Sequence, residues 1–196
     1  MNLKQLIFTN NACFKKAEII QPKGILIHST GINFPYLNYF CVPDDGFLGP
    51  NVNNTHWNKF LVDGQRRVCV HAFIGKLMNG NIATYQTLPW HYRGWHSGKG
   101  HLGTANDTHI GIEILEDDLV NSTYFNSVYK EAVELCAFLC KMFNLNPLKN
   151  GIIVDHFEAY EKNIAANHID VQHWFPKHGK TMNTFRIDVC TKVKPL

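Results

Sequence analysis

The apolar positions of this 196-residue chain change period several times, and each change marks an element. Residues 24–28, Gly-Ile-Leu-Ile-His, are a short apolar run and predict a buried strand. Residues 151–155 repeat the pattern and predict another. Residues 68–74 alternate, and the Asn79-Gly80 pair that follows is a strong hairpin signal, so residues 81–86 should return as the partner strand. Residues 109–114 also alternate: Ile110, Ile112 and Ile114 face one way, and His109, Gly111 and Glu113 the other. Over residues 124–143 the period becomes helical. Val128, Ala132, Leu135, Leu139 and Phe143 fall on one stripe, and Asn144 and Pro147 close the helix. Residues 181–189 predict a final short helix.

Between these elements the periodicity lapses. Residues 34–50 are rich in Pro, Gly, Asn and Asp and read as loop with a short helix near 36–40; residues 54–60 predict a further helical turn. Residues 88–107 form a long Gly-, His- and aromatic-rich loop, the kind of segment that often carries function. Hairpin and crossover connections are both present. The prediction is therefore an α/β fold with a central mixed β-sheet flanked by helices. It forms a single domain over residues 1–196, with its core at 23–189 and a tail or linker start at 190–196.

Composition narrows the function. A hydrophobic fraction of 45% supports an ordinary core, and a net charge of +3 without a dense Lys/Arg run argues against nucleic acid. No segment approaches the roughly 18–20 apolar residues of a membrane span, so no membrane insertion is expected. The apolar stretch at residues 1–8 is too short for a signal-peptide core, which predicts synthesis in the cytoplasm. The six cysteines include no Cys-x-x-Cys, which argues against a thiolate zinc site. Cys136 and Cys140, one helical turn apart, read as buried free thiols.

The chemistry lies in the eleven histidines. His28 and His156 each close an apolar run, and Asn167-His168-Ile169-Asp170 adds a carboxylate. His28, His156 and Asp170 make a two-histidine, one-carboxylate set. Such a set suits a catalytic zinc, which keeps three protein ligands and leaves the fourth position for water. The bound ion lowers the pKa of that water to about 7, which points to a metal-assisted hydrolase. Singly, each of the three also reads as a structural histidine or a turn carboxylate. Glu113, on the polar side of an apolar strand, is a candidate general base or a strand-edge partner for a lysine. His168 is either a ligand itself or a donor to the oxyanion of a tetrahedral intermediate. Residues 90–98, Trp-His-Tyr-Arg-Gly-Trp-His-Ser-Gly, interleave aromatic faces with polar donors, which suits a sugar or peptide ligand. Trp90, His91, Trp95 and His96 are its candidate contacts; the tryptophans serve equally as anchors of the loop. No nucleophile elbow or phosphate-binding loop occurs.

Four segments together carry a family resemblance: GILIHSTG at 24–31, LPWHYRGWHSG at 88–98, HIGIE at 109–113 and VDHFEAYEKNIAANHIDVQHWF at 154–175. They resemble zinc-dependent N-acetylmuramoyl-L-alanine amidases, which share their fold with peptidoglycan recognition proteins. The flavour is that of endolysin catalytic domains from phages of clostridia and listeria. The resemblance implies one zinc per chain, held by His28, His156 and Asp170, and Glu113 as the catalytic glutamate. It implies bacterial peptidoglycan as partner and hydrolysis of the amide between the lactyl group of N-acetylmuramic acid and L-alanine. A lysin made without a signal peptide would reach the wall through a holin-type pore or another export route. His71 joins the substrate-binding candidates at a strand position that many relatives precede with tyrosine; here the preceding residue is Val70. His168 stands where many relatives have lysine, and a histidine is only partly protonated at neutral pH. A non-catalytic peptidoglycan-binding module and a zinc peptidase cutting within the stem peptide are the rival readings.

Overall fold

The computed structural model describes residues 1–193. Its strands are β1 (Leu3–Gln5), β2 (Gly24–Asn33), β3 (Ala72–Lys76), β4 (Ile82–Gln86), β5 (His109–Glu116) and β6 (Ile153–Asp155). Its helices are α1 (Ala12–Lys16), α2 (Ser122–Met142), α3 (His156–Glu161) and α4 (Met182–Val193). The six strands form one mixed sheet in the order β1-β4-β3-β5-β2-β6. Only the β3–β4 hairpin is antiparallel; β1–β4, β3–β5, β5–β2 and β2–β6 are parallel. Gly80, at φ 85°, supplies the left-handed residue that this hairpin turn requires.

Alternation along β5 divides the sheet into two faces. Ile110, Ile112 and Ile114 lie with Ile25 and Ile27 in the main core. The apolar stripe of α2 covers that face through Phe125, Val128, Ala132, Leu135 and Leu139, and Phe185 and Val189 of α4 join it. Asn121 caps α2 by accepting the N–H of Tyr124. On the opposite face, Leu115 joins Phe73, Tyr85, Phe40 and Phe8 in a second cluster. There the Phe40 ring stacks on Phe73 at a centroid separation of 5.0 Å.

Several elements depart from the sequence pattern. Residues 54–60 contain no helix; Trp57 instead packs edge-on to Phe73 at 5.1 Å, so ring packing holds the segment. The strand expected at 68–74 starts only at Ala72, because Cys69 bridges to Trp95 in the long loop. The short helix near 36–40 is a 3-10 turn, Leu37–Tyr39. The tail expected at 190–196 is helical through Val193, and residues 194–196 lie outside the described residues. All six cysteines are free, with Cys136 and Cys140 buried.

His71 shows how the long loop is fastened to the sheet. Its Nε2 contacts the Tyr92 carbonyl at 2.7 Å, and its Nδ1 accepts the Gly111 N–H at 3.0 Å. Both contacts fit the neutral imidazole with hydrogen on Nε2. Burial lowers its pKa to about 4, despite the Tyr92 carbonyl, which accepts from the ring and favours the charged form. The unfolded chain takes up this proton near pH 6.5, so His71 contributes its full stability above that value. The contribution declines between pH 6.5 and about 4. The loss should total on the order of 3 kcal/mol, at about 1.4 kcal/mol per pKa unit. His71→Gln should flatten that part of the stability–pH curve, as measured by denaturant unfolding at successive pH values. An unchanged slope would refute the buried neutral state.

Candidate active site

Three adjacent parallel strands set the site. In the β2–β5 register His28 stands opposite Glu113, and in the β2–β6 register Ile27 stands opposite Asp155, which leads directly into His156. Parallel neighbours lie roughly 4.8 Å apart, so Glu113, His28 and His156 follow one another across the sheet. They sit toward the carboxyl ends of the strands, where open α/β sheets place their ligands.

Each member is held by its own local device. His156 is the first residue of α3, and Asp155 is the N-cap of that helix. Asp155 Oδ1 accepts the Glu158 N–H at 2.7 Å while Glu158 reaches back to the Asp155 N–H, completing a capping box. The second oxygen of Asp155 accepts from Gln172 Nε2 at 3.1 Å. Gln172 belongs to the 3-10 turn Val171–His173, which Asp170 immediately precedes. One carboxylate thus ties the segment carrying His156 to the segment carrying Asp170.

His28, His156 and Asp170 are all buried, and their donor atoms converge. Asp170 Oδ2 lies 2.8 Å from His28 Nδ1 and 3.2 Å from His156 Nδ1, and the two Nδ1 atoms are 3.3 Å apart. Tetrahedral zinc bonds of about 2.0–2.1 Å place ligand atoms roughly 3.3 Å from one another. Two imidazole nitrogens facing each other and one shared oxygen are a poor hydrogen-bond set but a good cation site. The residues present therefore fit a zinc ion. Burial would raise the Asp170 pKa, but hydrogen bonds from His156 and His28 outweigh it and hold the carboxyl well below its usual range. Burial lowers the pKa of His28, with Asp170 opposing and His156 and His168 reinforcing. Both shifts favour an anionic carboxylate and a neutral imidazole, the charge states from which metal binding proceeds.

Glu113 completes the centre. Burial raises its pKa well above the ordinary carboxyl value, with Asp170 and Glu116 adding to the effect. Its Oε2 is buried with no hydrogen-bond partner. His168 is exposed at the lip, with Nε2 3.3 Å from the second Asp170 oxygen.

These five residues line one groove of about 940 Å³. Trp95 and His96, both expected at a substrate site, line it too. The other three candidates lie elsewhere. Trp90 is packed in the main core and stacked beside His71, which is fully buried, while His91 is exposed outside the groove. The groove also takes in Trp57, Arg66, Arg67, Lys99 and Asn106, which sequence reasoning did not single out. The Arg66-Arg67 pair and a tryptophan inside a polar stretch were the available signals. Arg66, Arg67, Arg93 and Lys99 make the groove favourable to anionic groups.

A mixed sheet with a buried His28–His156–Asp170 cluster that could hold a metal ion fits a hydrolase of the amidase class. The sequence signature of N-acetylmuramoyl-L-alanine amidases matches residues 19–178, and the chain belongs to that family. Membership assigns it amide hydrolysis on peptidoglycan. No curated protein sequence matches it. Among solved structures it is similar to the Staphylococcus aureus hydrolase AmiA in complex with its ligand. That match has a TM-score of 0.66 and 16% identity over 98% of this chain and 82% of that one. It is also similar to the PlyG catalytic domain, with a TM-score of 0.64 and 16% identity over 98% and 96% of the two chains. A mutant endolysin from Bacillus subtilis gives a TM-score of 0.60 and 20% identity over 96% and 99%. These likenesses establish the shared fold.

Asp155→Ala should remove the cap of α3 and lower stability by about 1–2 kcal/mol. Denaturant unfolding measures this directly; a loss below a few tenths would show that the capping box contributes nothing.

Proposed function

We propose that this chain is a zinc-dependent N-acetylmuramoyl-L-alanine amidase of the endolysin or autolysin type, cleaving the lactyl–L-alanine amide of bacterial peptidoglycan. The observation that carries the reading is the meeting of His28 Nδ1, His156 Nδ1 and Asp170 Oδ2 within 3.3 Å of one another, beside the unpartnered Glu113. Zinc held there would supply a Lewis acid that polarises the scissile carbonyl and brings the pKa of a water to about 7.

The remaining chemistry belongs to the chain. Glu113 accepts the proton of the attacking water and returns it to the departing amine, so the amide yields one carboxylic acid and one amine. Burial raises its pKa, a shift in the direction that favours returning the proton to the amine. His168, at the lip, donates a hydrogen bond to the carbonyl oxygen as negative charge develops there. Trp95 and Trp57 offer flat apolar faces to sugar or peptide, and the arginines favour free carboxylates along the stem.

Mass spectrometry of digested purified cell wall is the test. The expected products are muramic acid with a free lactyl carboxylate and peptides beginning at L-alanine. Peptides cut within the stem would assign a peptidase instead.

Zinc content should be one per chain. His28→Ala and His156→Ala should each strip the ion, as read by atomic emission after gentle purification; two variants that both retain it would disprove the ligand set. Glu113→Gln, nearly isosteric, should keep zinc and fold while hydrolysis falls by about 10²–10⁴-fold. Cell-wall hydrolysis at the wild-type rate by that zinc-loaded variant would remove Glu113 from the proton path.

A further inference from the structure

His96 was expected to touch substrate, yet its ring nitrogens point elsewhere. Its Nδ1 lies 3.0 Å from His28 Nε2, the ring nitrogen remote from Asp170. Its own Nε2 lies 3.3 Å from the His109 carbonyl oxygen. The two rings meet edge to face, with centroids 5.1 Å apart. A carbonyl oxygen only accepts, so the hydrogen of a neutral His96 is on Nε2. Its Nδ1 is then a lone pair aimed at His28. With an ion bound, the matching state of His28 would carry hydrogen on Nε2 and leave Nδ1 bare for the metal, in place of the Nδ1–H that donates to Asp170 without it.

The surroundings hold His96 in place from several sides. Asn106 Oδ1 accepts its backbone N–H at 2.9 Å and that of Ser97 at 3.0 Å. The strand residue beneath the ring is Gly111, where an added Cβ would come within 2.6 Å of the imidazole. A Cβ on Gly94 would come within 2.9 Å of it. Any side chain at either position would force the ring to move. The other histidine of the set has no equivalent support: His156 Nε2 is buried without a partner.

We propose that His96 is a positioning residue for His28, holding its imidazole in the Nε2–H form and at the angle that presents Nδ1 to the metal. The inference rests on the zinc reading given above. Outer partners of ligating histidines typically change metal affinity by about 10–100-fold, and here a second imidazole fills that place.

The test compares wild type, His96→Phe, His96→Gln and Gly111→Ala by competition for zinc against a chromophoric chelator, with circular dichroism to confirm folding. His96→Phe keeps a ring but offers no acceptor, and should bind zinc about 10–100-fold more weakly. His96→Gln retains an acceptor oxygen and should recover part of that loss. Gly111→Ala removes no polar group but displaces the His96 ring, and should weaken binding in the same direction. In zinc-loaded, ¹⁵N-histidine-labelled wild type, a scalar coupling should connect His28 Nε2 and His96 Nδ1 across the hydrogen bond. A merely structural role for His96 would not produce that coupling. A folded His96→Phe chain that binds zinc within twofold of wild type overturns the proposal, and so does absence of the coupling, which needs no variant to fold. A wild-type chain that takes up no zinc overturns the metal reading and this inference with it.

Discussion

Burying two imidazoles and a carboxylate against one another is the constraint around which the active-site side of this protein is arranged. Polar groups taken out of water cost several kcal/mol unless each finds a partner. Asp170 meets that demand for His28 and His156 at once, through a single oxygen. The parallel β5–β2–β6 register brings His28 and His156 close enough for this, and the Asp155–Gln172 contact brings in the segment bearing Asp170. Loosening any of these would leave a buried donor or acceptor alone.

Much of the rest of the groove is loop, apart from His156 at the start of α3. The sheet carries His28 and Glu113 directly, with Ser29 and Thr30 of β2 lining the groove beside them; Trp95, His96 and Asn106 come from the long segment between β4 and β5. This segment is irregular in backbone but well fastened. Cys69 bridges it at Trp95, His71 holds it at Tyr92, and Asn106 folds it back on His96 and Ser97. Scattered main-chain bridges and side-chain contacts together, rather than one continuous ladder, hold it against the sheet.

How much of this was legible in the sequence depended on the length of each element. The helix α2 and the strand β5 span enough residues for a period to show, and their faces match the pattern read from it, whereas β2 showed only as the apolar run 24–28 of a strand that reaches Asn33. The three residues of β1, the five of α1 and the six of α3 are too short to display one. The α3 start was nonetheless written in the Asp155-x-x-Glu158 capping box, hidden because Asp155 also ends an apolar strand. The same masking made His156 look like a strand terminus, when it is the first turn of a helix. His28, His156, Asp170 and Glu113 could be nominated because carboxylates and histidines at the ends of apolar runs are conspicuous. Trp90 read equally as a substrate contact or as an anchor of the loop, and it is the anchor, closing the core beside His71. The role of Gly111 was invisible, since only the fold brings His96 over it.

The site holds two carboxylates whose surroundings drive them apart. Burial acts on both to favour the neutral acid. At Asp170 two imidazoles donate toward it and reverse the effect; at Glu113 no donor reaches Oε2, and the charge on Asp170 pushes the same way as burial. The result is one carboxylate fixed as an anion, suited to hold a cation, and one poised to exchange a proton. Separated pKa values of this kind assign acid–base roles within a pocket. A bound dication would draw the Glu113 pKa downward and strengthen its character as a base, while leaving Asp170 ionised. The opposite shifts therefore follow from which carboxylate the histidines face, a choice made by the strand register and the turn that delivers Asp170.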